Sequence, residues 1–229
     1  MRISNSKGLI LQRRDSVKDD SEVITVLLEN GNLLELFSQG SKKITSKNSF
    51  SLNEGTITNI EFFQSKNKNK MSRLKTARSV EIFDKLDPLY IEFIGSIADN
   101  LKEYNLGSKF YKNLMLFQKN KMNFNSENLV FLLNMIIVKV SNVVLYFRGC
   151  YICKRKNEII SFSYEGGLLC EEHSTNYPNF NKGAIKFLFD INFKNIDEIN
   201  SNINFEDIKN IKQIQIEALK ETLGIYLKI

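Results

Sequence analysis

Cysteine, histidine and proline are all scarce in this chain: 229 residues include three Cys, one His and two Pro. With only Pro88 and Pro178, no long Pro-rich linker is visible. Three Cys leave one unpaired in any disulfide scheme, and nothing points to an oxidising compartment. Long apolar runs are missing too. The most apolar stretch, 129–147, is broken by Asn134, Lys139, Ser141 and Asn142. A bilayer span wants about 20 predominantly apolar residues, so this stretch is predicted to be a buried helix and no membrane attachment is expected. The first eleven residues hold no apolar core of signal-peptide length, and there are no internal repeats. A cytoplasmic globular protein is expected, and 42% hydrophobic residues are enough to build its core.

The net charge is +6, and it is unevenly placed. Residues 1–80 carry 14 Lys/Arg against 8 Asp/Glu, 81–149 carry 8 against 7, and 150–229 carry 10 against 11. The whole excess therefore falls in the first third. A basic module on a neutral body fits a polyanionic partner, nucleic acid first. A Lys-rich solvated surface fits the same numbers.

All three Cys and the one His fall within 150–173. They read Cys150-Tyr-Ile-Cys153, sixteen residues, then Cys170-Glu-Glu-His173. Each half is a ligand-x-x-ligand knuckle, and two knuckles supply four tetrahedral ligands, the spacing of a zinc ribbon with His in the last place. The competing reading is three unrelated buried thiols and a core histidine. Four protein ligands close the metal shell, whereas a catalytic zinc keeps a position open for water. A structural Zn2+ is expected, with no catalytic residues. Gly166-Gly167 sits at the turn into the second knuckle, after a strand candidate at 159–164.

Five strands are predicted at 8–14, 22–28, 33–37, 56–63 and 74–83, with Asn30-Gly31 as the turn between the second and third. A longer insert, 39–52, follows the third strand. That pattern predicts an OB-type barrel, although periodicity alone does not separate it from another small barrel. Helices follow. Asp87-Pro88 reads as a cap and first helical residue, with apolar spacing through Tyr104 and a stop at Gly107. Ser108 is expected to cap a second helix and Ser126 a third over 127–147. Further helices are expected at 182–193 and 206–228. The predicted fold class is α+β: an N-terminal OB-fold β-barrel (1–83), then an α-helical domain (84–229) carrying a small zinc-binding lobe at about 148–175. The helical part and lobe are expected to form one compact unit.

Candidate DNA-binding residues are Arg13 and Arg14 at the end of the first strand, Lys42, Lys43 and Lys47 in the insert, and Lys66, Lys68 and Lys70 between strands four and five. That last loop commonly grips oligonucleotides in OB-folds, and cations there would neutralise phosphates and release counterions. Phe37, Phe50, Phe62 and Phe63 are candidate stacking faces, with burial in the barrel the favoured alternative. The acidic run 15–22 is expected to face away from any phosphate path.

The opening Gly8-Leu-Ile-Leu-Gln-Arg-Arg-Asp15, the segment Gly40-Ser-Lys-Lys43, and above all Cys150-Tyr-Ile-Cys153 … Phe162-Ser-Tyr-Glu-Gly-Gly-Leu-Leu-Cys170-Glu-Glu-His173 resemble the RecO family of DNA recombination and repair proteins. Residues 183–188 and 219–227 resemble its later helices. His173 stands where a fourth Cys is more usual. The resemblance implies a non-enzymatic mediator that binds single- and double-stranded DNA and anneals complementary strands. It also implies docking of the acidic C-terminal tail of single-stranded-DNA-binding protein, and help from RecR, and often RecF, in loading the recombinase RecA. Two other readings are a zinc-ribbon interaction module of transcription or translation and a zinc-dependent nucleic-acid hydrolase or deaminase. The second needs an open metal position and a Glu base, for which Glu165, Glu171 and Glu172 are nearest in sequence.

Overall fold

A computed structural model describes residues 2–43, 45–67, 70–82, 87–119, 124–141, 143–199 and 203–227, without the side chains of 118, 119, 222 and 223. Five strands come first: β1 (Arg2–Asp15), β2 (Glu22–Leu28), β3 (Leu33–Ser38), β4 (Ile57–Gln64) and β5 (Ser72–Glu81). Helices α1 (Pro88–Asn100), α2 (Gly107–Lys119) and α3 (Ser126–Ser141) follow, then a ribbon of β6 (Ile159–Ser163) and β7 (Gly167–Cys170), and finally α4 (Lys182–Phe193) and α5 (Phe205–Leu223). The class is α+β. Among the described residues no helix is long and apolar enough to cross a membrane.

The chain forms two compact units, Met1–Asn123 with Leu227–Ile229, and Phe124–Tyr226. This differs from the expected single helical unit after residue 83. The reason is local packing: α1 lies against β1. The Leu106 N–H also donates to the Gly31 carbonyl at 2.9 Å, tying the start of α2 to the β2–β3 turn. Gly31 has φ +84°, and a Cβ there would fall 2.1 Å from the Gly107 backbone, so only glycine fits that crossing.

In the first unit the strands follow the order β1-β2-β3-β5-β4 and close on themselves, since β1 also pairs with β4. All pairings are antiparallel except β3 with β5. Ile10, Ile24, Val26, Leu36, Leu52, Ile60, Phe62, Leu74 and Ala77 fill the interior. β1 begins six residues before the predicted start. Its polar first half carries no apolar alternation and is recruited by backbone pairing with β4, while its second half pairs with β2. β5 runs Ser72–Glu81; Phe83, the predicted strand end, lies outside the described residues.

Helix boundaries differ from expectation at several places. α1 ends at Asn100 instead of running to Tyr104, and Gly107 opens α2 where it was expected to stop α1. At the start of α2 the Asn105 side chain, not Ser108, accepts the Gly107 N–H at 2.8 Å. For α3 the cap is Asn125, not Ser126. The Asn128 N–H donates to Asn125 Oδ1 at 2.9 Å, and the Asn125 N–H donates back to Asn128 Oδ1 at 3.2 Å. α3 stops at Ser141, short of the expected 147. The Ser141 hydroxyl donates to the Ile137 carbonyl at 2.6 Å, and Tyr146 then pairs with the ribbon turn at Gly167. α5 ends at Leu223 and is capped by Gly224, whose φ of +63° is left-handed; Lys228 lies outside the described residues.

Candidate metal centre and nucleic-acid interface

The first knuckle is a tight turn. The Lys154 N–H donates to the Cys150 carbonyl at 2.9 Å, the Cys150 N–H donates to the Arg155 carbonyl at 2.8 Å, and Lys154 takes φ +63°. The second begins as β7 ends: Cys170 closes the strand and Glu171–His173 form one 3-10 turn. The Tyr151 N–H donates to the Leu168 carbonyl at 2.8 Å, which registers one knuckle against the other. Both ribbon glycines are needed here. A Cβ on Gly166 would fall 2.3 Å from the Tyr151 ring, and one on Gly167 (φ +122°) 2.3 Å from the Tyr146 carbonyl oxygen.

These turns bring the four predicted ligands together, with all four ligand atoms within 4.8 Å of one another. Cys153 Sγ lies 3.7 Å from Cys170 Sγ, and His173 Nδ1 lies 3.3 Å from Cys170 Sγ and 3.7 Å from Cys150 Sγ. A tetrahedral zinc with metal–sulfur bonds of about 2.3 Å and metal–nitrogen of about 2.0 Å spans edges of roughly 3.8 Å and 3.5 Å, so the cage has the right size. Cys150 and Cys170 are buried, Cys153 is exposed. Burial pushes the Cys150 thiol up, but backbone hydrogen bonds from Cys153, Cys170 and Ile152 outweigh it and bring it down to about 6. Burial and the neighbouring thiols push Cys170 up. Among the described residues no carboxylate joins the group. Glu172 pairs with Arg155 at 2.9 Å and Glu165 lies 3.5 Å from the Tyr151 hydroxyl.

The ribbon is tied to the helices of its unit by a polar chain that sequence reasoning missed. The Tyr164 hydroxyl donates to Asn134 Oδ1 at 2.8 Å on α3 and accepts from Gln215 Nε2 at 2.8 Å on α5. Gln215 and Asn134 read as polar interruptions of apolar helices, which was the available signal.

The predicted DNA contacts separate into two groups. Arg13 sends Nε and Nη2 to Glu22 at 3.1 and 2.9 Å and Nη1 to Asn53 at 3.0 Å, so its whole fork is engaged. Arg14 pairs with Glu35, which also takes Lys102 at 2.8 Å. Lys42 pairs with Asp15 at 2.6 Å and Lys43 approaches Asp20 at 3.9 Å. Three residues of the acidic run, Asp15, Asp20 and Glu22, therefore lie against Lys42, Lys43 and Arg13. Lys47, Lys66 and Lys70 are exposed, with no side-chain ion pair among the described residues. Lys68 lies outside the described residues. Of the candidate stacking rings, Phe62 is core and Phe37 and Phe63 are half-buried, but Phe50 is 64% exposed, against the expectation of burial.

No protein-family model matches the chain. Three curated proteins named DNA repair protein RecO are similar to it. That of Mycoplasma mycoides is 29% identical over 167 residues, covering 69% of this chain and 66% of that protein. That of Mycoplasma capricolum is 24% identical over 239 residues, covering 96% and 92%. That of Mesoplasma florum is 27% identical over 240 residues, covering 96% and 86%. The second and third of these similarities span nearly the whole chain and so take in both units, and the chain is similar to proteins named DNA repair protein RecO.

Proposed function

We propose that this protein is a DNA-binding recombination mediator of repair, cytoplasmic and not an enzyme. In this reading residues 1–83 form an OB-fold that binds single- and double-stranded DNA and anneals complementary strands. The helices after the strands, with a zinc lobe at about 148–175, dock RecR and the acidic tail of single-stranded-DNA-binding protein. RecF and RecA are engaged indirectly when recombinase is loaded. The observation that carries the reading is the near full-length likeness to proteins curated as DNA repair protein RecO.

Annealing needs no bond chemistry. Cations on the strand module hold two phosphate backbones close and screen their repulsion, leaving base edges free to pair. The exposed Lys47, Lys66 and Lys70 are the side chains best placed to do so. Cys150, Cys153, Cys170 and His173 would hold one Zn2+, which supplies cross-linking of the two knuckles. Soft thiolates with one imidazole favour zinc, and four protein donors leave no position for a reactive water.

Complementary-strand annealing followed by fluorescence tests the function, with binding to a fluorescent single strand measured across a salt series. The expected result is faster annealing and an affinity that falls log-linearly with salt. No annealing together with a flat salt response would defeat the reading. Preference for a polymerase or ribosomal partner over DNA would favour the zinc-ribbon module of transcription or translation instead.

A further inference from the structure

Four of the predicted DNA-contacting cations, Arg13, Arg14, Lys42 and Lys43, face four carboxylates, Glu22, Glu35, Asp15 and Asp20, so each already has a counter-charge from the same chain. The arginine pairs and the lysine pairs are not alike. The Glu22 side chain is only 7% exposed and is bound by two nitrogens of Arg13, a fixture of the fold. Asp15 and Asp20 are 81% and 54% exposed, and each meets its lysine at the surface.

The turn that carries the aspartates is stitched to the segment that carries the lysines. The Lys42 N–H donates to the Asp20 carbonyl at 3.2 Å and the Gly40 N–H reaches Ser21 Oγ at 3.4 Å. Asp20 is held in the left-handed region at φ +58°, which aims the turn at residues 40–43. Carboxylates on exposed lysines present the same charge and hydrogen-bond acceptors as a phosphate, and exposed pairs of this kind are weak enough to exchange.

We propose that the β1–β2 turn is an internal phosphate mimic: Asp15 and Asp20 occupy Lys42 and Lys43 in the free protein, and a bound strand must displace them. The inference rests on the DNA-binding reading above. It makes the turn a brake on binding, so that Lys47, Lys66 and Lys70 make first contact and the 42–43 pair engages only when a strand outcompetes the aspartates.

The test is the double variant Asp15→Asn/Asp20→Asn in the full chain, with oligo(dT) binding measured over a salt series. Asn keeps the size of the turn residues and tolerates the left-handed backbone at position 20. The expected gain in affinity is about three- to tenfold, with a log–log salt slope steeper by up to about 0.7 per lysine freed. In a Lys42→Ala/Lys43→Ala background the same aspartate changes leave affinity unaltered. A gain of equal size in that background would mean that only net charge matters and would overturn the inference. Wild-type binding with no gain overturns it too and leaves the DNA-binding reading standing. Absence of binding by every variant defeats both.

Discussion

The Cys/His cage and the cationic surface of the strand module are both made by turns facing turns, yet they are opposite electrostatic objects. In the cage, three sulfurs and an imidazole nitrogen are packed within 4.8 Å of one another. Thiolates so placed would repel one another, and a bound cation would relieve that repulsion. On the strand module, Arg13, Arg14, Lys42 and Lys43 already have carboxylates from the same chain. One region gathers ligands suited to a cation, while the other has supplied its own counter-charges. A cluster of ligands therefore says more about binding than an equal cluster of charge.

The largest effect that would break this contrast is at the cage. Cys170→Ser should abolish stoichiometric metal and unfold the ribbon, because structural zinc contributes about 10–16 kcal/mol to such folds. Elemental analysis and near-ultraviolet circular dichroism measure both. His173→Cys should keep the metal, since a fourth thiolate satisfies the same geometry. Next in size is Gly167→Ala, which meets the Tyr146 backbone at 2.3 Å from a φ of +122°. A loss of about 2–4 kcal/mol in denaturant unfolding is expected; a neutral result would mean that the knuckle register is not fixed there.

Glu22→Gln addresses the fixed half of the cationic surface. It weakens the partner of a fully engaged guanidinium and should cost about 1–3 kcal/mol. Burial raises the Glu22 carboxyl, but Arg13 and Ser41 outweigh it and hold it below its ordinary value. A carboxylate with a depressed folded pKa stabilises at neutral pH, and that contribution is lost as pH falls through the folded value. Urea midpoints of the wild type should therefore fall more steeply on acidification than those of Glu22→Gln. The smallest effects separate free from compensated cations. Lys47→Ala, Lys66→Ala and Lys70→Ala should each lower the single-strand salt slope by about 0.7, with stability unchanged. Arg13→Ala should lower stability and barely move the slope. Equal slope changes at both kinds of site would erase the distinction.

How much the sequence revealed follows the same division. The cage was legible because its ligands lie in two local turns, and a turn converts spacing directly into geometry. Asp87-Pro88 was legible for a similar reason: the Asp87 side chain accepts the Leu89 N–H at 2.8 Å and Pro88 opens α1. The carboxylates facing the cations were not legible. Lys42 and Asp15 lie far apart in sequence and meet only because the β1–β2 turn folds against the β3–β4 insert. The caps Asn105 and Asn125 were passed over for neighbouring serines, since either residue satisfies a helix start and only the backbone decides. The placing of α1 and α2 with the strands was hidden as well, because amphipathic spacing gives a helix a buried face without naming what covers it.

The central claim is that Cys150, Cys153, Cys170 and His173 form one closed tetrahedral metal centre, and zinc-edge X-ray absorption on the purified protein tests it most directly. The account predicts one zinc per chain with three sulfurs at about 2.3 Å, one nitrogen at about 2.0 Å and no water in the shell. A metal-free folded protein, or a zinc with fewer than three sulfurs and a bound water, would contradict it.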